Sequence, residues 1–125
     1  MRVLYVDDEA DIREIVSLSL GLDPEIEVVS VASGLEALAA VDAHLPDVIL
    51  LDVMMPDMDG PTTLFRLRES EGTRAVPVIF MTARTQGREV ERFKALGALG
   101  VIAKPFNPIT LASDLKALLT AASGG

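Results

Sequence analysis

Five short apolar stretches punctuate the chain, each rich in branched aliphatic or aromatic side chains. They are Val3-Leu4-Tyr5-Val6, the stretch around Val28-Val29, Val48-Ile49-Leu50-Leu51, Val78-Ile79-Phe80-Met81 and Val101-Ile102-Ala103. Their length and composition predict strands at 3–6, 27–31, 48–51, 78–81 and 101–103. The segments between them carry helical spacing. Residues 10–20 put Ile12, Ile15, Val16 and Leu18 on or near one face, and residues 35–43 are rich in Ala, a strong helix former. A helix at 62–69 is entered through Asp59-Gly60-Pro61, with Pro near the first turn, where a missing N–H costs nothing. Val90, Phe93 and Leu96 share a face over 90–96, which Gly97 ends, and Leu111, Leu115 and Leu118 repeat at helical spacing over 111–122. Strict alternation predicts an α/β fold: a five-stranded parallel sheet covered on both faces by five helices. One domain is expected over 1–122, with 123–125 as a flexible tail.

The polar residues that end these stretches change the picture from fold to chemistry. Asp7-Asp8 follow the first stretch and Asp52 follows the third. If those two strands are parallel neighbours, three carboxylates converge at one rim of the sheet. Two carboxylates ~4 Å apart repel by roughly 4 kcal/mol at an effective dielectric of ~20. Three together call for a cation, so the pattern points to a divalent metal site with one carboxylate left for chemistry. Thr82 closes the fourth stretch and Lys104 follows the fifth, so four strand ends carry polar groups of different kinds. Each has a plainer reading by itself: Asp8 as a helix N-cap, Asp52 as a loop residue, Thr82 as a strand former, Lys104 as a solvated side chain. Their joint occurrence, each at a strand end, favours a site.

Composition narrows the partners. The 125 residues suffice for one core, half of them are hydrophobic, and the net charge is -8. Scattered basic residues with that balance argue against direct nucleic-acid binding, which needs clustered Lys and Arg. There is no cysteine, hence no thiolate chemistry or disulfide. No stretch approaches the ~20 apolar residues of a membrane span, and no basic and apolar leader precedes the first strand, so a cytoplasmic protein without membrane contact is expected. Asp57-Met58-Asp59-Gly60 is not a calcium loop, because that pattern requires acids where Met55 and Arg66 stand.

Taken in order, the motifs Val6-Asp7-Asp8-Glu9, Leu51-Asp52-Val53-Met54-Met55-Pro56-Asp57-Met58-Asp59-Gly60, Met81-Thr82-Ala83 and Lys104-Pro105-Phe106 closely resemble the receiver domain of two-component response regulators. The resemblance covers essentially the whole chain. It implies a doubly wound, flavodoxin-like sheet of strand order 2-1-3-4-5. It also implies a signalling domain, not an enzyme with its own substrate turnover. Asp52 would accept a phosphoryl group from a histidine kinase or phosphotransfer protein, and the modified domain would switch its binding of a downstream protein. Asp7, Asp8, Asp52 and the backbone carbonyl of Met54 would hold Mg²⁺, with Mn²⁺ as a substitute. Lys104 would reach a phosphoryl oxygen, Thr82 would donate its hydroxyl to the bound group, and the Lys104–Pro105 peptide bond would be cis. The face that docks the kinase would involve Asp11, Ile12 and Ile15 with Phe106-Asn107-Pro108. One departure stands out: three residues before the Lys, where many family members carry Tyr or Phe, this chain has Val101.

Two other functions merit weighing. A metal-dependent phosphatase using Asp52 as nucleophile needs a second acid two residues on, where Met54 stands and cannot move protons. A receiver that only docks and is never phosphorylated is disfavoured by the presence of every expected acid.

Overall fold

A computed structural model describes residues 1–124 of the chain. Among them, five strands alternate with five helices: β1 (Arg2–Val6), α1 (Ala10–Gly21), β2 (Glu27–Val31), α2 (Gly34–Ala43), β3 (Val48–Asp52), α3 (Gly60–Glu69), β4 (Val78–Thr82), α4 (Gly87–Ala95), β5 (Gly100–Ala103) and α5 (Leu111–Gly124). The strands form one sheet in the order β2-β1-β3-β4-β5, and every pairing is parallel. The chain leaves β1 toward one edge, then returns to build the other side. The C-terminal ends of β1 and β3 therefore face a crevice where the winding reverses.

The continuous apolar stretches follow from burial on both faces. Leu4, Val6, Ile49, Leu51, Val78 and Phe80 point to one side, where Ala37 and Val41 of α2, Leu64 and Leu67 of α3 and Phe93 of α4 complete a core. Val3, Tyr5, Val48, Leu50, Ile79 and Met81 point to the other and meet Val16 and Leu20 of α1 and Leu111 and Leu115 of α5. Successive residues thus serve opposite cores, as the two-residue period of a strand requires. Edge strand β2 is the exception: Val28 and Val31 are half-buried, one against each core, and Glu27, Val29 and Ser30 are exposed.

Several boundaries differ from the pattern-based expectation. Asp52, expected just after its strand, is the last residue within β3, and Thr82 closes β4 as expected; they pair in register with Met81 and Ala103. Helix α3 starts at Gly60 rather than 62, because the Asp59 side chain caps it by accepting from Thr62 N–H at 2.9 Å. Helix α4 starts at Gly87, three residues early, so the connection from β4 is only residues 83–86. Its end is as expected: Gly97 has φ +110°, a conformation that favours glycine. Glu9, not Asp8, occupies the N-cap position of α1, and it caps without a side-chain hydrogen bond. Helix α5 runs through Gly124; the tail expected over 123–125 includes Gly125, which lies outside the described residues. The Lys104–Pro105 bond is cis.

Gly60 fixes the height of the β3–α3 connection above the sheet. Its N–H donates to Val53 O at 2.9 Å, and a Cβ there would sit 2.6 Å from Asp52 O and 2.9 Å from Val53 Cα. Both are backbone atoms that cannot swing aside. Gly60→Ala is expected to destabilise the domain by ~1–3 kcal/mol, read as a lower urea midpoint with an unchanged slope. An unchanged midpoint would show that the connection is slack.

Candidate functional site

The strand ends deliver the site. Asp7 follows β1 directly, and its N–H extends the β1–β2 ladder by donating to Val31 O at 3.2 Å. Asp52 ends β3, and the next N–H, that of Val53, donates to Met81 O at 3.2 Å. Lys104 follows β5, with its N–H donating to Thr82 O at 2.9 Å. Asp7 and Asp52 are therefore held by main-chain hydrogen bonds on adjacent strands. The carboxylates of Asp7, Asp8 and Asp52 offer oxygens that all lie within 4.8 Å of one another. Asp7 and Asp52 are buried, whereas Asp8 is exposed.

Lys104 spans the cluster. Its Nζ lies 2.9 Å from Asp7 Oδ2 and 3.2 Å from Asp52 Oδ1. Burial opposes its charge, but the hydrogen bond to Asp7 and the charges of Asp52 and Asp7 outweigh that and raise its pKa, so it stays an ammonium. Burial pushes Asp52 up from the ordinary 3.8 to about 6, aided by the Asp7 charge and opposed by Lys104. Thr82 is buried, and its Oγ1 accepts from the Arg84 N–H at 3.0 Å. Asp7, Asp8, Asp52 and Lys104, all expected from the sequence, are grouped at one rim, and Thr82 ends the neighbouring strand; the Met54 side chain is exposed.

The donor set fits a hard divalent cation. All three side chains offer carboxylate oxygens, which suit Mg²⁺ or Ca²⁺ and not a thiophilic metal. Three carboxylates against one ammonium leave negative charge unmatched when all are ionised. The exposed Asp8 provides the open side through which an ion and its waters can enter.

Three partners of Asp7 were not foreseen. Tyr5 O–H donates to Asp7 Oδ2 at 2.6 Å, and Arg13 Nη1 donates to the Asp7 carbonyl at 2.7 Å. The Glu9 N–H donates to Asp7 Oδ1 at 2.9 Å. In the sequence Tyr5 stands inside an apolar stretch. The usable signal was its spacing: residues i and i+2 of a strand share a face, and a buried phenol needs an acceptor. Beside the site, Ile12 and Ile15 of α1 with Pro105, Phe106 and Pro108 line an apolar groove of ≈ 490 Å³, which Lys104 also lines.

The raised pKa of Asp52 has a sign that can be checked. The folded state holds this proton more tightly than the unfolded chain. Stability from this group is fully present below 3.8 and is lost as pH rises through about 6. In chelator at pH 7, Asp52→Asn is expected to be more stable than the wild type by ~3 kcal/mol. The difference shrinks toward zero near pH 4. Urea unfolding across that pH range measures it, and a pH-independent difference would contradict the assignment.

Comparison with known proteins agrees with this geometry. The model of the response regulator receiver domain matches residues 3–116. A protein-glutamate methylesterase/protein-glutamine glutaminase of Cereibacter sphaeroides is 46% identical over 105 residues, covering 83% of this chain and 28% of that protein. The transcriptional regulatory protein CseB of Streptomyces avermitilis is 37% identical over 117 residues, covering 94% of this chain and 48% of that one. The chain thus spans from under a third to about half of these relatives, whose further activities lie outside what it matches. Among solved structures, the chemotaxis response regulator CheY4 of Vibrio cholerae superposes with a TM-score of 0.86 at 38% identity, covering 94% of this chain and 97% of that one. With its sheet order and the acidic rim at the C-terminal ends of β1 and β3, the chain belongs to the response regulator receiver domains, a family of signalling domains.

Proposed function

We propose that this receiver takes a phosphoryl group onto Asp52 and thereby changes which protein it binds. The observation that carries the reading is a buried carboxylate, Asp52, grouped with Asp7 and Asp8 and held against Lys104 at 3.2 Å. An oxygen of Asp52 attacks the phosphorus of a phosphohistidine on a kinase or phosphotransfer protein. The P–N bond breaks as the O–P bond forms, and the imidazole leaves with its electron pair and takes up a proton. Asp7, Asp8, Asp52 and the Met54 carbonyl would hold Mg²⁺, which offsets the charge that gathers on the transferring oxygens. Lys104 exchanges Asp52 for a phosphoryl oxygen, and the Thr82 hydroxyl donates to another.

The groove between α1 and the Pro105-Phe106 turn supports docking of the phosphodonor there, since it is apolar and shares Lys104 with the site. Among the described residues no helix is long and apolar enough to cross a membrane. The reading places the exchange in the cytoplasm, where kinases draw on ATP. Val101 is half-buried against the Phe80–Phe93 side of the core and has one stiff torsion. The response to phosphorylation therefore falls mainly on residues 82–88, the loop after β4 together with the start of α4, as a shift between loop arrangements.

Acetyl phosphate with Mg²⁺ or Mn²⁺ is expected to add one phosphoryl group, detected by intact mass. Asp52→Ala and chelated samples should show none. An adduct that survives in Asp52→Ala would sink the proposal.

The adduct is expected to be long-lived. Hydrolysis needs a water aligned in line with phosphorus, and two exposed residues that flank the site, Met54 and Arg84, offer it no acceptor. The pair Met54→Asn with Arg84→Glu is expected to shorten the lifetime several-fold by following loss of the adduct mass. An unchanged or longer lifetime would refute the argument.

A further inference from the structure

Tyr5 is completely buried in the middle of the sheet, on the face covered by α1 and α5. The other buried side chains of that core are aliphatic apart from Met81, and the ring of Phe would fill the same space. The hydroxyl does something else: it donates to Asp7 Oδ2 at 2.6 Å. Asp7 Oδ1 is meanwhile engaged by the Glu9 N–H at 2.9 Å. The two oxygens are thus pinned from opposite ends, which stops rotation of the carboxylate about its last torsion.

Lys104 is the third donor to Asp7, at 2.9 Å on Oδ2. It is also within 3.2 Å of Asp52, so it is shared and must move if it follows a phosphoryl oxygen. Among the described residues the Tyr5 hydroxyl bonds Asp7 and is not shared with Asp52, and its backbone is paired within β1 to the strands on both sides. When Lys104 departs, the phenol remains as the neutral donor that keeps Oδ2 satisfied.

We propose that Tyr5 is a positioning residue for the acidic cluster: its hydroxyl holds the Asp7 carboxylate in the one orientation that presents a free lone pair beside Asp8 and Asp52, so that a divalent cation meets a preformed site. This rests on the metal-site reading given above. Outer partners that orient a metal-binding carboxylate typically matter by 10–100-fold in affinity, and Tyr5→Phe removes one oxygen without removing the ring.

Calorimetric titration of Mg²⁺ into the chain tests it. Tyr5→Phe is expected to bind about tenfold more weakly than the wild type. In the acetyl phosphate reaction the same variant should need more Mg²⁺ for half-saturation while approaching the wild-type rate at saturation. A second readout needs no variant. Tyr5 is the sole tyrosine and there is no tryptophan, so the tyrosine emission of the wild type comes from this phenol. That emission is expected to change with the same half-saturation as the calorimetric signal. Equal affinity in the two proteins overturns the proposal, as does constant emission while the wild type saturates with Mg²⁺. If Tyr5→Phe fails to fold, the wild-type emission decides alone. Absence of any Mg²⁺ binding by the wild type is a different result: it overturns the metal site itself and the proposal with it.

Discussion

Like charges held at the end of a sheet are the constraint around which this domain is organised. Asp7 and Asp52 are buried and share a rim with Asp8. Such a group repels by several kcal/mol at the dielectric of a protein interior edge. The fold meets that repulsion with one ammonium from β5's end, Lys104, and with neutral donors from Tyr5 and the Glu9 N–H. The arrangement leaves charge unmatched, and a site with unmatched charge is one that responds to a cation or to a proton.

Parallel register is what makes the constraint hold. Val6 pairs with Leu51, and Asp52 pairs with Met81, so the residues that follow emerge at one level. A slip of one residue would turn Asp52 onto the opposite face and exchange the two cores. The cores resist this, because each strand residue is committed to α2–α3–α4 or to α1–α5. Gly60 adds a steric stop from above, since only hydrogen fits against the Asp52 carbonyl. Packing energy is thereby converted into positional accuracy at the acidic rim.

The parts of the site differ in how firmly they are tied to the sheet. Asp52 and Thr82 belong to the sheet, and Asp7 continues it. Lys104 is divided between two carboxylates, a cation with a choice of partners, and residues 83–86 connect β4 to α4 through exposed residues. Under the proposed phosphoryl transfer, a change of charge at Asp52 would act first on these less tethered groups, redistributing a surface without disturbing either core.

Strand existence, helix existence and the acidic strand ends were legible in the sequence because each rests on a local regularity. Uninterrupted aliphatic stretches mark strands buried on both faces, and the acids that end them mark the rim. The motif resemblance supplied the strand order, which periodicity alone does not encode. Boundaries were less legible: the start of α3 depends on the Asp59 cap, and that of α4 on a backbone turn without a side-chain signature. Tertiary structure alone decided that Lys104, 97 residues from Asp7, would bond to it, and that an apolar-looking strand residue, Tyr5, would be a polar partner of the cluster. The reason is that a strand pattern says which face a side chain occupies, while the partner of a buried charge is chosen by distances between strands that sequence spacing does not contain.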